Sequence, residues 1–518
     1  MKRIIFSYLL IYVCLLIGIF RFAYIINDKT YTTAANNSKK TTEIGKIRGT
    51  IFDKDGSRLT NTEYEYYAAV PPNAKAVNAV SQFLTESKRK TLSTGFPVTV
   101  KVNKSFISAA VKVIKMPKRY CGFASHIIGY CNQSGDGICG IEQAYNDILK
   151  GKTVKVSYNT DANGKVIESS EQIEHDIGYE GNGVMLTIDK SIQTLCENIA
   201  ENYMEQGAIV VIENETGKIR AMVSSPSYDP NNIQDALDSP SSPFFNRAIA
   251  AYNCGSVFKL LVAACALYYD IDLEIDCKGF VEVGDTRFNC LNNHKKTDLK
   301  SALAVSCNCY FIKLGQKIGA KRLLSFAKSF GFGNEIKLCS SIVSSGATLP
   351  TLEELEEKTA ELANFSFGQG VILTSPLQIA SMIQCIANGG KLIKPTLVEG
   401  ITDENGKLIT KEKKTLPTYI LDKDDADTLC KYMINAVNKG TGKAAKPNSG
   451  GAGGKTATAQ TGIYDQKGNE VYQTWFGGFF SAKNPKYTII VLCENGNSGG
   501  KTAAPIFKMI ADGIYNAG

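Results

Sequence analysis

"SVFKLLVAACALYYDI", residues 256–271, is apolar on every side once its first turn is passed. A helix without a polar face has no place on a surface, so this stretch belongs at the centre of a domain. Its apolar run is about a dozen residues, short of the roughly 20 that a bilayer requires. Outward from it, the patterns change with position. "GNGVMLTIDKSIQTLCENIAENYME" passes from a strand into an amphipathic helix with Asp189 near its start. "GAIVVIENETGKIRAMVSSPSYDP" is two apolar strands joined by Asn214–Gly217. "KSALAVSCNCYFIKLGQKIG" and "SPLQIASMIQCIANGG" are helices. "QTWFGGFF" and "KYTIIVLCEN" are adjacent strands, and "TAAPIFKMIADGIYN" is a last helix. Strands early and late with helices between make an α+β fold, with one sheet built from both ends of the segment.

The chain has 518 residues, enough for two or three domains. Its net charge of +8 is spread along the sequence, without the concentrated basic stripe of a nucleic-acid binder. Ile4 to Phe20 carries no charge; Arg21 interrupts, and "FAYII" follows to Ile26. That run is too long for a signal-peptide h-region and is closed by no A-x-A site. The expectation is one uncleaved anchor in the cell membrane. Lys2 and Arg3 keep the short tail cytoplasmic, and the rest lies outside. Residues 28 to about 45 read as a polar linker. "RGTIFDKDGSRL" (48–59) and "VKVSYNTDANGKVIES" (154–169) read as hairpins turning at Asp55-Gly56 and Asn163-Gly164.

Fifteen cysteines are many for an exported chain, and they form no CxxC pair. Cys307 and Cys309 are too close for an easy bridge. Cys121, Cys131 and Cys139 come nearest to a cluster, and with His126, His175 and His294 a zinc site there is one reading. The preferred reading is small buried thiols in a protein from a reducing or anaerobic setting.

Three short motifs carry candidate chemistry. Ser256 and Lys259 are three apart, with Gly255 just before. On a helix starting at Ser256 they share a face. Burial lowers a lysine pKa, and a neutral amine can take the proton of a serine nucleophile. A capping serine with a surface lysine is the plain alternative. Ser306 and Asn308, in "AVSCNCYF", suit a loop that shuttles a proton and holds an amide, although an N-cap also explains Ser306. Lys455 and Thr456 follow the glycines of "SGGAGGKTATAQTG". A P-loop requires glycine where Ser449 stands, and no helix follows. The segment instead reads as a strand leaving a glycine-rich loop, with Lys455, Ala457 and Ala459 on one side and Thr456 and Thr458 on the other. Such a strand offers a charge, a hydroxyl and backbone N–H groups to an extended peptide ending in a carboxylate.

In order, S-x-x-K, S-x-N and K-T-x are the motif set of penicillin-binding proteins and class A β-lactamases. The chain resembles class B penicillin-binding proteins almost end to end. The resemblance rests on "RGTIFDKDG", "SHIIGY", "GICGIEQAYNDILKGK", "LTIDKSIQ", "GAIVVIENETGKIRAMVSSPSYDPN" and "FSFGQGVILTSPLQIASMIQCIANGGKLIKP". It implies a tail and anchor (1–27), an N-terminal pedestal (28–175) and a transpeptidase domain (176–518). That domain has a central antiparallel sheet flanked by helices and an all-helical subdomain, with no added module after the final helix.

The resemblance also implies an activity: a peptidoglycan D,D-transpeptidase acting through a serine acyl-enzyme on D-Ala-D-Ala stem peptides, and a target of β-lactams. Ser256 is then the nucleophile and Lys259 its base. Ser306 relays a proton, and Asn308 holds the substrate amide and Lys259. Lys455 and Thr456 bind the terminal carboxylate. The backbone N–H groups of Ser256 and Thr458 form the oxyanion hole. No metal or organic cofactor is needed, and a SEDS-type membrane glycosyltransferase is the implied partner. Two residues depart from the family pattern: Ala457 stands in place of glycine, and Cys254 in place of proline. Ala457 keeps open a catalytically impaired scaffold of the wall-synthesis machinery. A D,D-carboxypeptidase or β-lactamase is the other alternative, against which the pedestal and anchor argue.

Overall fold

The computed structural model describes residues 2–27, 39–167, 170–173, 181–464 and 468–517. Residues 28–38 of the expected linker, His175 and the expected boundary at 175/176 lie outside the described residues. Helix α1 (Lys2–Asn27) contains a stretch, Ile5–Tyr24, long and apolar enough to cross a membrane, with a mean hydropathy of 2.2.

The chain forms two compact units. The first takes residues 1–48, 61–119 and 151–181. In it, Lys39–Lys46 is a strand rather than part of a linker, paired antiparallel with Thr153–Asn159. Polar residues hid it: only Thr42 and Ile44 turn inward. A second sheet sets Glu63–Val70 between Val98–Val102 and Lys112–Lys118.

The second unit takes residues 49–60, 120–150 and 182–518. In the first of these segments the expected turn forms around Asp53, whose Oδ1 accepts from the N–H groups of Asp55 and Ser57 at 2.9 and 2.7 Å. Helix α2 (Lys190–Tyr203) is capped by Asp189. Strands β1 (Gly207–Glu213) and β2 (Ile219–Ser225) follow. Next come α3 (Lys259–Tyr268), α4 (Leu299–Val305), α5 (Asn308–Ile318), α6 (Pro376–Ala387) and α7 (Lys423–Lys439). The chain closes with β3 (Ala452–Tyr464), β4 (Glu470–Phe480), β5 (Tyr487–Cys493) and α8 (Ala504–Asn516).

The five strands form one antiparallel sheet in the order β2–β1–β5–β4–β3, so the last of the five in sequence sits beside the first of the five. Alternation along them fills both faces. Ala208, Val210, Ile212, Trp475, Phe479 and Ile490 pack into the large core around α3 and α6. Ile209, Val211, Phe476, Ile489 and Val491 meet α2 and α8. Every residue of α3 from Lys259 to Ala266 is buried, as its all-round apolar surface requires.

Two glycines read as loop lie inside β3. A Cβ on Gly453 would come within 2.3 Å of the Phe479 ring, and one on Gly454 within 2.5 Å of the Phe476 ring. Cross-strand aromatics, not flexibility, demand glycine there. Gly450 and Gly451, with φ of +76° and +66°, make the turn before the strand.

Candidate active site

Ser256 sits on a turn clamped from several directions. Asn253 is held through its backbone: its N–H donates to Gln473 Oε1 at 2.8 Å, and its carbonyl accepts from Trp475 Nε1 at 2.9 Å. Just upstream, Arg247 and Tyr252 both donate to Glu494 Oε1, at 2.9 and 2.6 Å, tying the approach to the end of β5. Cys254 is fully buried against the Gly368 carbonyl, and burial pushes its thiol up to about 12. The thiol two residues from Ser256 is therefore held in its unreactive form. Gly255 has a φ of +54°, and a Cβ there would lie 3.0 Å from the Cβ of Ala459 and 3.4 Å from that of Ala457.

From Gly255 the chain makes one 3₁₀ turn to Phe258 and becomes α-helical only at Lys259, three residues later than expected. The tight turn leaves Ser256 half-buried and drives Lys259 completely into the interior.

Lys259 Nζ donates to Asn308 Oδ1 (2.6 Å), to the Ser306 carbonyl (3.0 Å) and to Ser306 Oγ (3.2 Å). The Phe311 and Phe367 rings close over it at 5.5 and 5.9 Å. Lys455 Nζ reaches the same Ser306 Oγ from β3 at 2.9 Å, and donates to the Thr456 carbonyl at 2.7 Å. Burial lowers Lys259 to about 8, against the pull of the Cys290, Cys307 and Cys309 thiols. Lys455 is pushed well below the ordinary lysine range, first by burial and then by the charge on Lys259. Two buried ammonium groups on one hydroxyl repel, so the site favours one of them neutral.

Ser306 is not an N-cap. It ends α4 in the left-handed region (φ 58°, ψ 42°), and Cys307 caps α5. This conformation, uncommon for a residue with a side chain, lets its carbonyl and hydroxyl both face Lys259. Asn308 opens α5, with Nδ2 donating to the Asn289 carbonyl at 3.1 Å and its N–H to Cys290 Sγ at 3.2 Å.

On β3 the expected alternation is present. Lys455 points inward and Ala457 and Ala459 approach Gly255, while the hydroxyls of Thr456 and Thr458 meet Thr441 Oγ1 (2.8 Å) and the Gly499 N–H (3.1 Å). The Ala457 methyl thus lies against the turn before Ser256, and Lys455 still reaches Ser306 beside it. The arrangement joins an accessible serine, a buried amine of lowered basicity, a bridging hydroxyl and a second amine at the base of an edge strand.

Cys121, Cys131 and Cys139 are not gathered into a metal site. Cys121 is exposed, Cys139 Sγ meets Tyr228 OH at 3.6 Å, and His126 bonds the Pro243 carbonyl at 2.7 Å. Among the described residues the group with metal-ligating atoms in mutual reach is Cys277, Cys290, His294 and Cys307. Neither this group nor the clamp on Asn253 was foreseen. The clamp joins residues more than 200 positions apart, with the single tryptophan at 475 its only signal; the group lies within residues 277–307, where its three cysteines and one histidine are visible in sequence but form no C-x-x-C pair.

Residues 207–512 match the family described as the penicillin binding protein transpeptidase domain. The chain is 31% identical over 406 residues to stage V sporulation protein D of Bacillus subtilis, covering 74% of this chain and 61% of that one. It is 27% identical over 583 residues to the peptidoglycan D,D-transpeptidase MrdA of Haemophilus influenzae, covering 95% of this chain and 88% of that one. The fold is similar to the D,D-transpeptidase domain of a peptidoglycan glycosyltransferase from Eggerthella lenta. That likeness has a TM-score of 0.67 at 24% identity, over 91% of this chain and 98% of that one.

Proposed function

The chain belongs to the penicillin-binding protein transpeptidase family, and from that premise we propose that it cross-links peptidoglycan stem peptides through an acyl-enzyme on Ser256. The observation that carries the reading is the convergence of Lys259 and Lys455 on Ser306 Oγ. Neutral Lys259 takes the proton of Ser256 as its oxygen attacks the carbonyl between the two D-alanines. The N–H groups of Ser256 and Thr458 meet the charge that develops on that carbonyl. The C–N bond then breaks, and the terminal D-Ala leaves with the proton passed through Ser306. An amine of a second stem peptide attacks the ester, forms the cross-link and frees Ser256.

Lys455 and Thr456 hold the terminal carboxylate. Its negative charge offsets the burial and the Lys259 repulsion that otherwise disfavour an ammonium at Lys455. Asn308 orients Lys259 and the substrate amide. Helix α1 anchors the chain in the membrane, with glycan polymerisation supplied by a SEDS-type partner.

The test is to incubate the full chain, in detergent, with a fluorescent penicillin and locate the adduct by mass spectrometry. A long-lived adduct on Ser256, absent in Ser256→Ala, is expected. No adduct would make the protein a scaffold, and an adduct hydrolysed within seconds would make it a β-lactamase.

A further inference from the structure

The four residues Cys277, Cys290, His294 and Cys307 come from four places in the chain. Cys277 ends the strand Ile275–Cys277, which pairs with Lys295–Thr297 directly after His294. Cys290 follows the strand Thr286–Asn289, and its N–H donates to the Gly279 carbonyl at 2.8 Å, extending the pairing of that strand with Phe280–Val283 by one position. Cys307 lies between Ser306 and Asn308 at the start of α5. Two hairpins and a helix N-terminus thus bring three sulfurs and one imidazole nitrogen within 4.8 Å of one another.

Three of the six ligand-atom spacings match those around a tetrahedral ion, and the other three stay within 4.8 Å. Zinc bonds of roughly 2.3 Å to sulfur and 2.0–2.1 Å to nitrogen put neighbouring ligand atoms about 3.8 Å (S to S) and about 3.6 Å (S to N) apart. Cys290 Sγ lies 3.7 Å from Cys307 Sγ, and His294 Nδ1 lies 3.5 Å from Cys290 Sγ and 3.7 Å from Cys277 Sγ. The sulfurs are far outside the roughly 2.05 Å of a disulfide. Cys277 and Cys307 are buried, 1% and 0% exposed. The Asn308 N–H aimed at Cys290 Sγ is the kind of outer hydrogen bond that steadies a metal thiolate. Three thiolates and a divalent ion leave one net negative charge beside a turn that holds two buried lysines, where a negative charge is welcome.

We infer that Cys277, Cys290, His294 and Cys307 form a Cys₃His site for a zinc-class divalent cation, which staples both hairpins to the turn carrying Ser306 and Asn308. Soft thiolates with an imidazole select such an ion over magnesium or calcium, which prefer oxygen ligands. The inference does not require Ser256 to be a nucleophile.

The full chain, purified in detergent and dialysed against metal-free buffer, should retain about one zinc per chain by elemental analysis. Cobalt exchanged into the site should give near-ultraviolet thiolate charge-transfer bands and the strong visible bands of a tetrahedral ion. Cys290→Ser/Cys307→Ser should lose the metal, while Cys430→Ser, at a cysteine outside the group, should keep it. Should the double variant fail to fold, alkylation of the wild-type chain decides: Cys277, Cys290 and Cys307 should be protected with zinc and modified after chelation. Metal far below one equivalent, retention by the double variant, equal loss in Cys430→Ser, or a disulfide within the group in the unreduced protein would each overturn the site.

Discussion

Lys259 and Lys455, from the central helix and from the edge strand, donate to one oxygen, Ser306 Oγ, at 3.2 and 2.9 Å. Both are fully buried, and each raises the cost of protonating the other. With Lys259 lowered to about 8, its neutral form grows as pH rises toward that value and dominates above it. The rate of penicillin acylation should therefore climb through a midpoint near pH 8 and level off above about pH 9, as expected for a base of that pKa. Lys259→Arg, which keeps the charge but cannot release a proton, should lower the rate by about 10²-fold or more and abolish the dependence. The linked stability has the same sign. Between about 8 and the ordinary lysine value of 10.5 the unfolded chain binds the proton that the folded chain has released, so unfolding becomes harder as pH rises through that window. Urea midpoints across the window, compared with Lys259→Met, measure it.

Asn308 makes the shortest bond to Lys259, 2.6 Å from its Oδ1. Replacing that neutral oxygen with a carboxylate favours the charged amine. Asn308→Asp should shift the pH midpoint of acylation upward by about one unit or more. Asn308→Ala should lower the rate while moving the midpoint far less. Penicillin-labelling rates against pH separate the two, and an unshifted Asp variant would mean that Lys259 is not the titrating base.

Ser306→Ala removes the oxygen both lysines share. Lys259 keeps the Ser306 carbonyl and Asn308, and Lys455 keeps only the Thr456 carbonyl. The loss of a buried acceptor should cost about 1–3 kcal/mol of stability. Acylation should fall by about 10²–10⁴-fold, the usual range for a lost proton-transfer group. Thermal unfolding and labelling rates on the same preparation check both.

The parts of this fold that were legible in sequence are those set by burial alone. The all-apolar run after Ser256 located the core, and the apolar strands near 210, 220, 475 and 490 declared themselves through β-branched and aromatic residues. What failed depended on backbone pairing and conformation that the local pattern does not encode. Gly453 and Gly454 resemble a loop until the Phe476 and Phe479 rings are in place. Ser306 resembles an N-cap because two helices nearly touch in sequence there, and no local pattern says that Cys307 takes the cap instead. Cys121 to Cys139 looked clustered because they are near in sequence, while hairpin pairing gathers Cys277, Cys290, His294 and Cys307. The candidate site was legible as three motifs, but not the sharing of one hydroxyl by two lysines.

The chain's single tryptophan, Trp475, is fully buried and donates to the carbonyl of Asn253, three residues before Ser256. Trp475→Phe keeps most of the packing and strands that carbonyl. It should cost about 1–3 kcal/mol, seen as a lower thermal midpoint. It should also slow acylation, because the turn carrying Ser256 loses one of its clamps. Tyr203→Phe, on the exposed end of α2, is the control and should leave both the midpoint and the labelling rate unchanged.

Gly255 and Ala457 test the departure on the edge strand. A side chain at 255 would have to accept a φ of +54° and a Cβ 3.0 Å from that of Ala459. Gly255→Ala should therefore destabilise by about 1–3 kcal/mol and sharply slow acylation. Ala457→Gly removes a methyl that lies against the turn, not between Lys455 and Ser306. It should change the acylation rate by less than about threefold while costing about 0.5–1 kcal/mol of strand stability. Because Ala459 is the nearer obstacle and the backbone angle is unchanged, adding Ala457→Gly to Gly255→Ala should not rescue it. A tenfold or greater gain in acylation from Ala457→Gly alone would instead show that the methyl restrains catalysis in the native chain.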